Sequence, residues 1–304
     1  MTVALLRVLL LAQLALSGEL KTRDGLALFR FAPRHEPLAR LLAARLEDAP
    51  PLPGLPAPLA TDSLRPITVY LADSETTFRT LTGRDAPDWS AGVAYPTAGA
   101  IVLPAFASER APPAALATTL RHELAHVRLH RYLAPASVPR WFDEGYARHA
   151  AGEWDAGSAW QIRLAFALQR APPLDSLALD WPEREAAAHV AYLLSTTAVQ
   201  YLVEASGEAG LERFLARWRS LGEMEPALRD VYGVSLGQLE EDWRDWVRNR
   251  YGWAAFFAQA AVFWFVLTLL LLAVRRRRRR RDAARLDALR ASEPPDQPAY
   301  WEEP

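Results

Sequence analysis

The sequence predicts an α+β domain in which a small mixed sheet packs on one long helix and a mainly helical segment follows, with a transmembrane helix near the C-terminus. Strand-like runs rich in β-branched and aromatic residues are confined to the part before Pro104. The rest of the chain shows the spacing of apolar residues that is typical of helices. An apolar run without a charge, residues 253–274, then follows.

The N-terminal residues 1–18 predict a secretory signal peptide with cleavage near position 17 or 18, because Arg7 precedes an apolar run and small residues follow it. A retained signal anchor is the alternative. Residues 19–252 then form one extracytoplasmic domain. This span has more acidic than basic side chains, which argues against a nucleic-acid partner. The chain has no cysteine, so neither a disulfide nor a thiolate metal ligand is expected.

The first part of this domain supplies the strands. The predicted strands are residues 26–31, residues 66–73 and a hairpin over residues 92–104, whose second strand is Ala100–Leu103. Between them, residues 35–48 predict an amphipathic helix, Ser74 predicts the cap of a second helix, and the proline-rich residues 49–60 predict a loop.

His122, Glu123 and His126 form the pattern H-E-x-x-H. Two histidines four residues apart differ by about 40° around a helix axis, so both imidazoles can bind one ion. Glu123 points off this axis and is better placed to take a proton from a water molecule at the ion. A structural helix with its histidines hydrogen-bonded in the core is the alternative. The apolar neighbours of the motif favour a metal site, because burying unpaired ionisable groups is costly.

A zinc site needs a third protein ligand besides an open position for water. Tyr132 occupies the position six residues beyond His126 where metzincins have a third histidine, and His130 does not fit that spacing. After two prolines, the stretch PRWFDEGYA predicts a second helix that contains Glu144. A short loop between two antiparallel helices can bring Glu144 across the histidine face.

The linked motifs HELAH and PRWFDEGYA resemble the gluzincin clan of zinc metallopeptidases, and specifically the bacterial peptidase MA-like family. The resemblance covers roughly residues 26–251 and implies a zincin-like fold. It implies that zinc is the cofactor, that the substrate is a peptide or protein, and that Glu123 is the general base. The zinc ligands that it implies are His122, His126 and Glu144.

The resemblance also implies roles for an edge strand and for Tyr192, and the position of Asp143 beside Glu144 suggests a role for it. An edge strand beside the active-site helix pairs with an extended substrate, and Ala100–Leu103 is the candidate for it. Tyr192 resembles a recurrent tyrosine and is the candidate donor to the oxyanion, with a tyrosine packed in the core as the alternative. His189 is a second candidate. Asp143 either hydrogen-bonds a ligand imidazole or is an exposed acid at a helix start. Arg148 departs from the thermolysin-like pattern, which has an acidic residue in this region.

The segment after the metal motifs predicts further helices and then a membrane anchor. The predicted helices cover residues 157–171, 183–207 and a closing helical subdomain over 211–250, with a break at Gly233 and a cap at Ser235. Residues 253–274 are long enough, at about 1.5 Å per residue, to cross a hydrocarbon core of about 30 Å.

Seven consecutive arginines, Arg275–Arg281, follow the predicted span directly. The positive-inside rule then places the tail, residues 275–304, in the cytoplasm and the domain outside. The acidic, proline-containing end of the tail is expected to be disordered.

These features predict a single-pass, membrane-anchored zinc metallopeptidase with its catalytic domain on the extracytoplasmic side. A catalytically silent zinc-binding or sensory ectodomain is the alternative, although such a module has no need of Glu123 as a base. A zinc hydrolase that acts on a non-peptide bond is also compatible with the motifs. An intramembrane protease is not, because the motif helix carries Arg121 and Arg128.

Overall fold

The computed structural model describes residues 16–57, 65–83, 91–109, 112–154 and 157–292. The chain divides into two compact units, Met1–Arg248 and Asn249–Pro304. The first unit contains the sheet and the helices that carry the predicted site residues.

The described residues form one mixed sheet of five strands in the order β1-β2-β3-β5-β4. The strands are β1 (Gly18–Lys21), β2 (Ala27–Phe31), β3 (Ile67–Ala72), β4 (Val93–Tyr95) and β5 (Ala100–Pro104). The central strands β2, β3 and β5 are parallel, whereas β1 and β4 run antiparallel to their neighbours. The predicted small mixed sheet is therefore present. Strand β1 was not expected, because it begins within the predicted signal peptide.

The prediction that Ala100–Leu103 is an edge strand is wrong. These residues belong to β5, which pairs with β3 on one side and with β4 on the other. All five residues of β5 are buried. The hairpin pattern in the sequence shows that two strands pair, but it does not show which of them also pairs with a third strand. Among the residues that the structure describes, the outermost strand on this side of the sheet is β4.

Three helices cover the two faces of the sheet. They are α1 (Glu36–Glu47), α2 (Glu75–Thr82) and α3 (Pro113–Leu133). Alternate strand residues such as Phe29, Val69 and Ile101 pack with α1 and α3, and each such buried side chain stabilises the fold by roughly 1.5–3 kcal/mol. Tyr70 and its neighbours on the opposite face pack with α2. The Ser74 side chain accepts a hydrogen bond from Thr77 N and caps α2, as predicted.

The second part of the first unit is helical. Its helices are α4 (Arg140–Ala151), α5 (Ser158–Ala167), α6 (Leu174–Leu179), α7 (Glu185–Leu221), α8 (Met224–Tyr232) and α9 (Leu236–Tyr251). Gly207, with φ 70° and ψ 177°, breaks α7 at the position where the sequence predicts a helix end. Gly233 ends α8 with a φ of 74°, and the Ser235 hydroxyl accepts a hydrogen bond from Gln238 N, as the predicted break and cap require.

Helix α4 is held by aromatic packing against α7. The Phe142 ring lies 5.8 Å from the Phe214 ring and 5.1 Å from the Trp218 ring, both in edge-to-face geometry. Trp141 and Tyr146, on the same helix, are fully buried. This packing fixes the rotation of α4 about its axis, and therefore the direction in which Glu144 points.

The proline-rich loop is fastened to the motif helices by side chains. The Arg121 guanidinium donates to the carbonyl oxygens of Pro50, Pro51 and Ala150. The Tyr146 hydroxyl donates to Pro53 O at 2.8 Å. Arg121 therefore connects this loop to both α3 and α4.

The predicted membrane segments remain predictions. Residues 1–15 lie outside the described residues, but Leu16 is buried in the core and Gly18 begins β1, so cleavage after position 17 or 18 would remove a core residue. The second unit contains α10 (Trp253–Ser292), which includes residues 253–274 and the arginine run. Within the part of the chain that the structure describes, no helix is both long enough and apolar enough to cross a membrane. The expected disordered end, residues 293–304, also lies outside the described residues.

Candidate metal centre

The predicted ligands from α3 and α4 lie together. The Nε2 atoms of His122 and His126 are 3.1 Å apart. Glu144 Oε2 lies 3.8 Å from the first of these nitrogens and 3.6 Å from the second. One ligand atom from each residue lies within 4.8 Å of the others, so the three side chains could hold a metal ion. The aromatic packing of α4 and the one-turn spacing on α3 produce this arrangement.

Glu123 lies beside this group with 8% of its surface exposed. Burial raises the pKa of its carboxyl group, His122 and His126 oppose the rise, and Glu144 adds to it. A Cβ atom at Gly92 would approach Glu123 Cγ to 3.1 Å, so the backbone just before β4 lies against this side chain. The aliphatic part of the Glu123 side chain is therefore held between α3 and the start of β4.

Asp143 connects the metal group to His130. Its Oδ1 lies 2.7 Å from His126 Nδ1, and its Oδ2 lies 2.9 Å from His130 Nε2. Burial favours the neutral acid, but contact with His126 outweighs it, so the pKa of Asp143 is lowered. Burial likewise lowers the pKa of His126, but the Asp143 carboxylate reverses this and raises it. Of the two interpretations that the sequence left open, the structure supports the one in which Asp143 orients a ligand imidazole.

Glu153 faces the other histidine, and sequence reasoning missed it. Its Oε1 lies 3.1 Å from His122 Nδ1, although the two groups are not aligned as a hydrogen bond. Burial favours the neutral form of Glu153, but the nearby His122 and then Arg148, whose Nη1 lies 3.3 Å from Glu153 Oε2, lower the pKa of this carboxyl group. Glu153 follows the left-handed Gly152 (φ 71°) that ends α4. A glycine at that position predicts that the chain changes direction, but it does not predict which residue the next side chain contacts.

Comparison with known proteins agrees with this geometry. A sequence model of the Peptidase MA superfamily matches residues 57–249, more than half of the chain and the part that contains both motif helices. The chain belongs to the Peptidase MA superfamily. A search of curated proteins found no match.

The donor set suits the metal that the Peptidase MA superfamily generally uses. Two imidazole nitrogens and one carboxylate oxygen are a common protein ligand set for catalytic zinc. The second nitrogen of each imidazole faces a carboxylate, Asp143 in one case and Glu153 in the other. A hydrogen bond such as the one between His126 and Asp143 fixes the ring orientation and increases the basicity of the ligand nitrogen. The residues present therefore fit a divalent ion of this kind.

Tyr192 of α7 borders the same group in this Peptidase MA superfamily member. Burial raises the pKa of its hydroxyl to about 12, with Glu144 adding to the rise and Arg140 opposing it. Its ring lies 5.1 Å from the Trp181 ring in edge-to-face geometry, and the Arg148 guanidinium lies 5.7 Å from it. The Tyr192 hydroxyl is therefore close to a predicted ligand. His189, one turn earlier, pairs instead with the side chain of Gln161.

A cleft of about 740 Å³ begins at Tyr192 and Arg148 and continues between α5 and the start of α7. Apolar side chains form much of its wall, including Leu164 of α5 and Leu168 directly after that helix. Its charged and titratable lining residues are Arg148, Arg170, Glu185 and His189. The cleft therefore offers space for a substrate chain next to the metal group, in a wall where basic groups outnumber acidic ones.

Proposed function

We propose that this chain is a zinc-dependent metallopeptidase of the gluzincin type. The observation that carries the proposal is the convergence of His122, His126 and Glu144 around one point, with the buried Glu123 beside them. Membership of the Peptidase MA superfamily supports the same reaction class. The reaction is hydrolysis of a peptide bond.

The metal ligands and Glu123 have separate roles in the proposed reaction. Zinc held by His122, His126 and Glu144 would supply Lewis acidity toward the peptide carbonyl and lower the pKa of a water molecule. Glu123 accepts a proton from the attacking water and later delivers it to the leaving amine. Burial suits Glu123 to this exchange, because a raised pKa makes the carboxylate a stronger base.

Tyr192 supplies the hydrogen-bond donor in this proposal. The Glu144 carboxylate is near enough to its hydroxyl to raise its pKa, and this proximity supports a role as donor to the oxygen of the tetrahedral intermediate, which develops negative charge. A pKa of about 12 keeps the phenol protonated, and therefore a donor, throughout the neutral range. His126 and His122 are held in place by Asp143 and Glu153 while the reaction proceeds.

We also propose that the catalytic unit is exported and anchored by one C-terminal span. The signal-like residues 1–18, the apolar residues 253–274 and the arginines that follow them support this topology. The substrate would then be a peptide or protein on the extracytoplasmic side. Labelling of single cysteines introduced at positions 100 and 290, in a chain with no other cysteine, tests the topology: a membrane-impermeant reagent should reach only the first after mild denaturation of intact cells.

Zinc content and cleavage of an unbiased peptide library test the activity. The full-length chain and its Glu123→Gln variant should each bind about one zinc ion, and only the wild type should cleave, in a chelator-sensitive way. Zinc binding without cleavage by the wild type would favour a silent zinc-binding or sensory ectodomain. Absence of zinc from both proteins would contradict the metal assignment.

A further inference from the structure

Arg140 lies at the open side of the metal centre. It begins α4 one turn before Glu144, and about half of its side chain (52%) is exposed. Its Nε is 3.8 Å from Glu144 Oε1, a distance too long for a hydrogen bond. Arg140 also interacts with the Tyr192 hydroxyl, but a guanidinium has five N–H donors, so others remain available to a ligand.

The Arg140 guanidinium stacks on an aromatic ring that itself packs against a second ring. Its central carbon lies 4.7 Å from the centre of the Trp181 ring, and the Tyr192 ring packs edge-to-face against the same indole. Trp181 belongs to the segment between α6 and α7, far from α4 in sequence. Stacking on an aromatic ring holds a guanidinium in one orientation, so less conformational entropy is lost when it binds a partner.

The neighbouring Arg148 has a closer carboxylate partner than Arg140 has. Arg148 lies 3.3 Å from the Glu153 carboxylate and donates to the Glu153 backbone carbonyl, so its charge is balanced. Among the described residues, no carboxylate lies within hydrogen-bonding distance of Arg140. The cleft that begins at Tyr192 is lined by Arg148 and Arg170 against one carboxylate, Glu185, so positive charge exceeds negative charge on this side. A carboxylate would complement this charge.

We infer that Arg140 is a specificity-determining residue that binds a carboxylate of the substrate, with Trp181 holding its guanidinium in position. This inference rests on the proposed peptidase function and names its substrate class: peptides that carry a carboxylate close to the scissile bond. The carboxylate is either the C-terminus of the peptide or the side chain of Asp or Glu. A guanidinium binds both with two parallel hydrogen bonds.

Binding to an inactive enzyme tests the inference without relying on turnover. The probes are four labelled hexapeptide mixtures, randomised over neutral residues, that carry or lack one fixed Glu and that end in a free carboxylate or an amide. Each is offered to the zinc-loaded full-length Glu123→Gln protein in equilibrium dialysis. Mixtures with a carboxylate should bind about tenfold more tightly than the neutral amide, as one charge-assisted hydrogen bond would give. Comparing the Glu mixture with the free-acid mixture shows which carboxylate is used.

The added substitution Arg140→Gln should abolish this preference while zinc is retained, and Arg140→Lys should keep only part of it, because lysine lacks the planar fork. Arg229→Gln is the matched control, because Arg229 pairs with Glu225 one turn away on α8 and is exposed. Equal binding of all four mixtures, or a preference that Arg140→Gln leaves unchanged, overturns the inference. If Arg140→Gln loses zinc, Arg140→Lys decides: a weakened preference supports the inference, and unchanged binding overturns it.

Cleavage by the wild type separates this inference from the proposed function. Hydrolysis of the neutral amide mixture at the same rate as the acidic ones leaves the peptidase function standing and contradicts the role of Arg140. A carboxylate preference in binding without hydrolysis of any mixture contradicts the peptidase function alone.

Discussion

The backbones of Gly145 and Ser195 approach each other so closely that a Cβ atom at position 145 would lie 2.2 Å from the Ser195 carbonyl oxygen. Gly145 directly follows Glu144 in the Glu-Gly-x-Ala motif, so helices α4 and α7 cross at the metal centre itself. The same crossing brings Tyr192, one turn before Ser195, beside Glu144. The glycine of the motif is therefore explained by packing rather than by backbone flexibility.

Substitution of Gly145 by alanine should separate α4 from α7. The added methyl group meets backbone that cannot move away, so we expect a loss of about 1–3 kcal/mol in the free energy of unfolding. Displacement of Glu144 should lower the zinc content as well. Urea unfolding and metal analysis measure both effects. Gly237→Ala is the control, because a Cβ atom there meets nothing within 4 Å, and equal stability of the two variants would contradict the packing argument.

Removal of the Asp143 side chain should weaken metal binding. Asp143→Ala leaves His126 without the carboxylate that orients its ring, and such losses typically reduce metal affinity by about 10–100-fold. Competition with a zinc chelator measures the change. His130→Gln is the matched control, because it removes the partner of the other Asp143 oxygen and leaves the contact with His126 intact. A larger loss of zinc affinity in His130→Gln than in Asp143→Ala would show that the contact between Asp143 and His126 is not the one that supports metal binding.

Glu153 should orient His122 as Asp143 orients His126. Glu153→Ala removes the carboxylate that lies 3.1 Å from His122 Nδ1, and we expect zinc affinity to fall by about tenfold or more. Glu212→Ala, on the exposed surface of α7, should leave the affinity unchanged. If both variants retain wild-type affinity, the contact with Glu153 does not orient the ligand.

His149 should make stability depend on pH. Burial lowers the pKa of its imidazole below the ordinary value of 6.5, with Glu208 opposing this shift. Between the two pKa values the unfolded chain binds a proton that the folded chain does not, so stability falls as pH decreases below 6.5. The slope from one group is at most about 1.4 kcal/mol per pH unit.

His149→Gln should remove this contribution. Unfolding of both proteins in urea between pH 5 and pH 8, with excess chelator so that both are metal-free, gives the difference between the two curves. Other titrating groups contribute equally to both proteins and cancel. A difference that stays constant over this range would mean that His149 is protonated equally in the folded and unfolded chains.

Local patterns in the sequence predicted the features that depend on neighbouring residues. Runs rich in β-branched and aromatic residues located β2 and β3, and the caps at Ser74 and Ser235 lie where they were expected. The one-turn spacing of His122 and His126 is a property of any helix, so their common face could be inferred without a structure.

Contacts between distant segments were decided by packing. The sequence could not show that Glu153 would face His122, because the direction of the chain after Gly152 depends on how α4 packs. It left the environment of Asp143 open for the same reason. It also misassigned the edge strand, because strand order depends on pairing with β3.

The sequence by itself therefore determined that His122 and His126 share one helix face with Glu123 beside them, and it located most of the helices and strands. These follow from backbone periodicity, which repeats within a few residues. The tertiary structure alone decided which carboxylates orient the histidines and that Arg140 stacks on Trp181 beside Glu144. Those contacts depend on the angle and distance at which separate elements pack, and many different sequences of the same local pattern would pack differently.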